Sequence, residues 1–254
     1  MKKISKLNDN ANLGGRQFEF FKQLEQYFLD SEDTIVDRLA NFPKYVTRQS
    51  LTNFLAKYEI YKKIKNVNGS IVECGVLFGG GLMSFAHFSS IIEPVNYTRK
   101  IIGFDTFSGF PAISKTDSTR TPNSQMKKGG YNINSLNDLK KCVELFDSNR
   151  FINHIPKIEL VKGDVQKTIP KYIKDNPHLI VSLLYLDLDL YEPTRAALRN
   201  FIPRMPKGAI IAFDEINVEQ WPGETLAVLE EIGIRNLRIE RFEFAPLMSY
   251  AVLE

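Results

Sequence analysis

From residue 17 to residue 65 the apolar side chains recur at helical intervals. Phe18, Phe21, Leu24 and Phe28 lie three or four apart, Ile35 and Leu39 continue the series, and the polar run 30–33 interrupts it. Pro43 separates this stretch from a second helix. Thr47 is placed to cap that helix, and Leu51, Phe54, Leu55, Tyr58 and Tyr61 form one apolar stripe up to Lys65. These aromatics read as a packing face rather than a cofactor box. Residues 1–15 are polar, contain Gly14-Gly15, and predict a loose terminus.

After the turn at 66–70 the period changes. Ile71-Val72-Glu73-Cys74-Gly75-Val76 is a short β-rich run that ends in glycine, and a helix is predicted over 80–92. Further strands are predicted at 100–105, 158–162, 180–188 and 209–213, and further helices at 136–146, 193–201 and 225–232. The run 180–188 is nearly all apolar, which suits a central parallel strand covered on both faces. Residues 237–244 and 248–253, split by Ala245-Pro246, predict a closing hairpin. The alternation predicts an α/β fold: a doubly wound, mostly parallel seven-stranded sheet with a C-terminal antiparallel hairpin. Residues 1–65 form an N-terminal helical extension or lid, and 66–254 the main domain. Residues 109–131 have no periodicity and read as a lid, a binding loop or a disordered segment.

Composition adds boundaries. A chain of 254 residues with 43% hydrophobic and 25% charged side chains has a full core, which excludes long-range disorder. Two cysteines cannot build a disulfide scaffold and suggest a reducing compartment. The net charge of +3 is unevenly spread: residues 1–65 carry 12 basic and 8 acidic side chains, and 66–254 carry 21 and 22. The excess is scattered along helices, so it predicts a solvated surface and no nucleic-acid partner. No apolar run approaches 18 residues, and the basic start is followed by Asn8-Asp9-Asn10, so the expectation is a cytoplasmic protein without membrane contact.

The chemistry gathers where the strands end. In an open α/β sheet, ligands bind outside the carboxyl ends of the strands. Glu73 and Gly75, Asp105, Gly163-Asp164, Asp187 and Asp189, and Asp214-Glu215 stand at those ends in turn. One such acid can be a helix cap, but a carboxylate at every end has no folding reason, because buried like charges repel. The first loop offers Gly75, Gly79, Gly80 and Gly81. Leu77 breaks a dinucleotide fingerprint and no lysine follows as in a phosphate loop. Glu73 would repel phosphate and suits a cation. Asp105 stands where nucleotide domains hold a ribose, and Asp164 could accept from an adenine amino group. An adenosine with a positive charge and no phosphate describes S-adenosylmethionine.

These motifs resemble a known family. Ile71-Val72-Glu73-Cys74-Gly75-Val76 with Gly79-Gly80 looks like the first motif of the macrocin (TylF/MycF-like) O-methyltransferases, class I methyltransferases of Rossmann-like fold. Phe104-Asp105-Thr106-Phe107-Ser108-Gly109-Phe110-Pro111, Gly163-Asp164-Val165 through Thr168-Ile169-Pro170, and Leu186-Asp187-Leu188-Asp189-Leu190-Tyr191-Glu192-Pro193-Thr194 extend the likeness from about residue 45 to the C-terminus. The resemblance implies methyl transfer to a sugar hydroxyl, on glycosylated natural products or nucleotide-linked deoxysugars. It implies a cofactor set of Glu73, Gly75, Val76, Gly79, Gly80, Asp105, Ser108, Gly163, Asp164 and Asp187. Two departures stand out: Asp214-Glu215 where the family usually has Asp-Asp, and Leu77-Phe78 where it often has Trp-Arg.

Asp187, Asp214 and Glu215 offer only oxygen ligands, which suits Mg2+ rather than zinc; such an ion would orient adjacent sugar hydroxyls and acidify one. Asp189, two residues beyond Asp187 on the same strand face, is the expected general base, as the resemblance also implies. The alternative is that Asp189 and Glu192 cap the helix near Pro193. His87 reads as a packed residue, His154 and His178 as loop residues, and Cys74 as a small buried side chain. Trp221 either lines the substrate pocket or packs. Rival functions are an NAD(P)-dependent oxidoreductase, disfavoured by Glu73 and Leu77, and a non-catalytic adenosine-ligand sensor, which would not need the four acids of the last two strand ends. The N-terminal aromatics suggest a homo-oligomer, and the basic residues there, Arg48 among them, would suit the diphosphate of a nucleotide sugar.

Overall fold

The computed structural model describes residues 15–254. The expected loose terminus lies outside the described residues except for Gly15, which opens the first helix. Two compact units divide the chain, Met1–Asn53 and Phe54–Glu254. The boundary expected after residue 65 differs from this division, which falls inside a helix.

In the first unit, α1 (Gly15–Asp30) stops at the polar run, and Thr34 caps α2 (Ile35–Ala40) by accepting from the Asp37 amide. Arg38 closes the turn between them by donating to the carbonyls of Phe28 at 2.8 Å, Ser31 at 2.6 Å and Asp33 at 2.9 Å. Thr47 accepts from the Ser50 amide at 3.1 Å and so starts α3 (Arg48–Ile64). The second half of α3 belongs to the second unit, where Ala56, Ile60, Tyr61 and Ile64 are wholly buried.

The second unit alternates strands and helices, with Val165–Asp175 a helix that the sequence reading did not place. In order it runs β1 (Ser70–Cys74), α4 (Gly80–Ile92), β2 (Ile101–Asp105), α5 (Leu136–Ser148), β3 (Ile158–Lys162), α6 (Val165–Asp175) and β4 (Val181–Leu186). It continues with α7 (Tyr191–Phe201), β5 (Ile210–Phe213), α8 (Gly223–Glu231), β6 (Ile239–Phe242) and β7 (Ala245–Val252). The sheet order is β3-β2-β1-β4-β5-β7-β6, parallel except for β7, which runs antiparallel to both neighbours. Alternate side chains build two cores. Ile71, Leu183, Tyr185 and Ile210 face α4 and Phe85, while Val72, Leu184, Leu186 and Phe213 face α7 and Phe201. The chain builds outward from β1 to β3 and then returns to β4 beside β1, so the switch point lies between the carboxyl ends of β1 and β4.

Three elements depart from expectation. β4 ends at Leu186, not Leu188, because the Asp187 amide makes the last rung to Cys74 at 2.9 Å and the chain then turns. Ala245-Pro246 does not split the hairpin but opens β7; Glu243-Phe244 is the two-residue turn, and Pro246 sits where the register has shifted and no rung is needed. Of the three readings of residues 109–131, only the disordered segment fails, because the loop is seated. The Gly129 amide donates to Phe110 at 2.9 Å and the Phe110 amide to Gly130 at 3.0 Å, while Phe110 and Tyr131 pack on Trp221, each at a ring spacing of 5.9 Å.

Candidate active site

The first loop is built around a missing side chain. Gly75 has φ of +95°, and a Cβ there would stand 1.8 Å from the Asp187 carbonyl oxygen. Its amide donates to Phe104 at 2.9 Å, so the ends of β1, β2 and β4 converge on it. Leu77 at φ +51° and Gly79 at φ +88° then swing the backbone into α4. Asp105 fixes that path: its Oδ2 accepts from the amides of Val76 and Leu77, both at 2.8 Å, and its Oδ1 from Phe107 at 2.6 Å. Beyond Gly80 a Cβ would meet nothing within 4 Å, so open space borders the first turn of α4.

Glu73 lies beneath this turn with 2% exposure, and a Cβ at Gly81 would stand 1.9 Å from its Oε1. Its Oε2 is buried without a hydrogen-bond partner. Burial pushes the carboxyl up to about 8, opposed by the Lys57 ammonium and aided by Asp105 and Asp214. Lys57 is itself buried, with Nζ 4.6 Å from the Tyr185 ring centre. The Tyr185 hydroxyl donates to Asp214 at 2.9 Å.

Four more carboxyl groups crowd the ends of β4 and β5. Burial raises Asp187 well above the carboxylate range, reinforced by Asp214 and Asp189 and opposed by Lys57. Burial likewise raises Asp189, next to Glu215, and pushes Glu215 up to about 8. Glu224, 1% exposed, is raised by burial and by Asp214, while its Oε2 accepts from the Glu215 amide at 3.1 Å. Oε1 of Glu224 and Oε2 of Glu215 are buried and unpartnered. Lys57 opposes this acid excess only in part, so the burial of the cluster favours bound protons or a cation. The chemistry of Asp187, Asp214 and Glu215 suits a hard cation, yet among the described residues no three His, Cys, Asp or Glu side chains are gathered in an arrangement that could hold a metal.

Asp189 is not on the strand face expected for it. It sits at φ +62° in a three-residue turn closed by the Leu190 amide donating to Leu188 at 2.6 Å. Nor does it cap α7, whose N-cap, Leu190, makes no side-chain bond; Glu192 instead lies 3.7 Å from Arg195.

The model of the macrocin O-methyltransferase (TylF) family matches residues 44–229. The chain belongs to this family. Among solved structures it is similar to CalS11, a calicheamicin methyltransferase, at 31% identity over 99% of both chains with a TM-score of 0.90. The apo form of CalS11, described as a TDP-rhamnose 3'-O-methyltransferase of calicheamicin biosynthesis, gives 31% identity over 96% and 98% with a TM-score of 0.82. The O-methyltransferase NovP, at 18% identity over 80% of this chain and 79% of its own with a TM-score of 0.61, shares the fold. No curated protein sequence matches. The chain is therefore an S-adenosylmethionine-dependent O-methyltransferase.

Within this O-methyltransferase the residues singled out in the sequence divide by what already satisfies them. Asp164 caps α6 by accepting from Gln166 at 3.0 Å. Gly163, at φ +139°, donates its amide to Asp105 at 2.8 Å, and Ser108 is exposed in the next loop. Cys74 is buried, which raises its thiol, and His87 packs edge-on against Phe146 at 5.1 Å with burial lowering its imidazole. Trp221 packs at 3% exposure. Lys57, Asp117 and Glu224 escaped the sequence reading. Two carried a signal: Lys57 lies between Phe54 and Tyr61 on the apolar stripe of α3, and Glu224 precedes the buried Ala227 and Val228 by three and four residues. A charge on an apolar face marks a buried charge.

Proposed function

We propose that the enzyme methylates a hydroxyl of a nucleotide-linked deoxysugar. The observation that carries this is likeness to CalS11, described as acting on TDP-rhamnose, over essentially the whole chain. The glycine turn at Gly75, Val76, Gly79 and Gly80, with open space beyond Gly80, suits the backbone approach of S-adenosylmethionine. Glu73 and Asp187 provide negative charge for its ammonium and sulfonium, and Asp105, Ser108, Gly163 and Asp164 border the adenosine side. Bound there, the cofactor supplies an electrophilic methyl group.

Asp189 is the proton acceptor in this reading. Burial and the neighbouring Glu215 raise its carboxyl, which makes the ionised form a stronger proton acceptor than an ordinary aspartate. The acceptor oxygen gains the methyl group, its proton passes to Asp189, and S-adenosylhomocysteine leaves. Asp187, Asp214 and Glu215 are not gathered as ligands here; drawn together, their all-oxygen donors, with the unpartnered Oε2 of Glu215, would suit Mg2+, which would lower the pKa of the hydroxyl. The unpaired cysteines fit a cytoplasmic setting, and Leu29, Ile35, Val36 and Leu39, largely exposed on α1 and α2, fit burial against a second copy.

The test is methyl transfer to a panel of TDP-deoxysugars and their unlinked sugars, with Mg2+ and with EDTA. Turnover of a nucleotide-linked sugar at least tenfold above the free sugar is expected. Turnover confined to aglycone-borne sugars would overturn the acceptor class, and full activity in EDTA would remove the metal.

A further inference from the structure

Asp189 occupies a conformation that its own sequence does not favour. A non-glycine residue at φ +62° in a three-residue turn is strained and persists only where its surroundings over-determine it. Two segments distant in sequence supply that constraint. From one side comes Asp117, 1% exposed, whose Oδ1 accepts from the Tyr191 amide at 2.7 Å. Its Oδ2 accepts from the Ser114 amide at 2.9 Å and from the Ser114 hydroxyl at 2.7 Å, which locks the carboxylate plane. From the other side comes Gly223, at the start of α8. A Cβ there would stand 2.5 Å from the Asp189 carbonyl oxygen and 2.5 Å from the Tyr191 nitrogen. The two segments are themselves joined, since Thr119 donates to the Glu219 carbonyl at 2.8 Å and Phe110 and Tyr131 pack on Trp221.

We propose that Asp117 and Gly223 are positioning residues that clamp the Leu188–Leu190 turn and thereby aim the Asp189 carboxyl. The segment 109–131 thus serves the reaction through Asp117, not only as a cover. Asp117 satisfies an N-terminal amide of α7 that the N-cap Leu190 leaves without a side-chain partner. The first amide of α7 is buried and needs an acceptor, and a carboxylate brought across 74 positions to supply it also fixes where that helix begins relative to Asp189. Gly223 complements it, because only a residue without a side chain admits the turn so close to α8.

This rests on the reading of Asp189 as proton acceptor, and a double-mutant cycle separates the two. Asp189→Asn, Asp117→Ala and the pair are assayed for kcat and KM, with Asp117→Asn as a milder perturbation, Gly223→Ala as the steric counterpart on the other side of the turn, and S-adenosylhomocysteine calorimetry as a binding control. Trp221, the chain's one tryptophan, reports by its emission whether the segment stays seated. Asp117→Ala is expected to lower kcat about 10- to 100-fold with KM and cofactor-product affinity within threefold, and to have no further effect once Asp189 is asparagine. Gly223→Ala should lower kcat in the same manner, and Asp117→Asn by less. An equal effect of Asp117→Ala in both backgrounds, or one confined to KM, would overturn the clamp while leaving Asp189 as base. Unchanged kcat in Asp189→Asn would remove the base, and the clamp with it.

Discussion

Glu73→Gln is expected to stabilise the ligand-free protein while weakening it as an enzyme. The wild-type carboxyl is 2% exposed, and burial moves it from the ordinary 4.5 up to about 8. Between those values the folded chain holds a proton that the unfolded chain has released. Stability is therefore fully present below about pH 4.5 and is lost as pH rises towards 8. Each pH unit in that window removes about 1.4 kcal/mol, so the whole effect is on the order of 5 kcal/mol. Glutamine keeps the shape and cannot ionise. Urea unfolding at pH 5.5, 6.5 and 7.5, without cofactor or metal, measures the difference. The variant should gain about 2–3 kcal/mol on wild type from the lowest to the highest pH. Asp187, Asp189, Glu215 and Glu224 titrate in both proteins and largely cancel. S-adenosylhomocysteine should bind the variant at least tenfold more weakly. Parallel stability curves would refute the argument, for they would mean that Glu73 is ionised in the fold with Lys57 compensating its burial.

Two glycines of one loop should behave oppositely. Gly75→Ala, with its Cβ driven against the Asp187 carbonyl at φ +95°, should cost at least about 3 kcal/mol by urea unfolding and abolish cofactor-product binding. Gly80→Ala meets nothing within 4 Å, so it should leave the unfolding midpoint within about 0.5 kcal/mol and weaken only the binding. Asp105→Ala frees three loop amides and should lose about 2–3 kcal/mol together with binding. Arg99 tests the opposite edge of the sheet. It is 3% exposed and donates to Val67 and Gly69 at 2.9 Å, to Ser182 at 2.6 Å and to Glu93 at 2.8 Å. Arg99→Ala should lose about 3–5 kcal/mol, lowering Tm by on the order of 10 °C in a thermal melt, with kcat at low temperature within twofold.

The strands were legible because parallel strands covered on both faces read as continuous apolar runs; all six residues of β4 are buried. Their ends were not. The stop at Leu186 goes with a positive-φ aspartate three residues on, a conformation open to any Asp but not marked by its neighbours, and the start of α7 with an amide accepted by Asp117 from 74 residues away. Pro246 read as a break because a proline removes one rung, yet the shifted register of β6 and β7 leaves that rung unrequired.

The acids at the strand ends teach a narrower lesson. Their positions follow from the alternation of the fold, but position alone does not separate a ligand from a cap, since both uses want a carboxylate beside free amides. Donor bookkeeping separates them. Asp164 accepts from the first turn of α6, and Asp105 from three amides of the loops it joins, so each already has a use in the fold whatever it borders. Asp189 and Glu215 face one another, Asp187 faces Asp214, and Glu73 and Glu215 each bury an oxygen with no donor. A fold that gains nothing from such groups keeps them for a partner of opposite charge or for a proton in transit. That asymmetry, invisible in the order of residues, separates carboxylates the fold already uses from those it leaves without a donor.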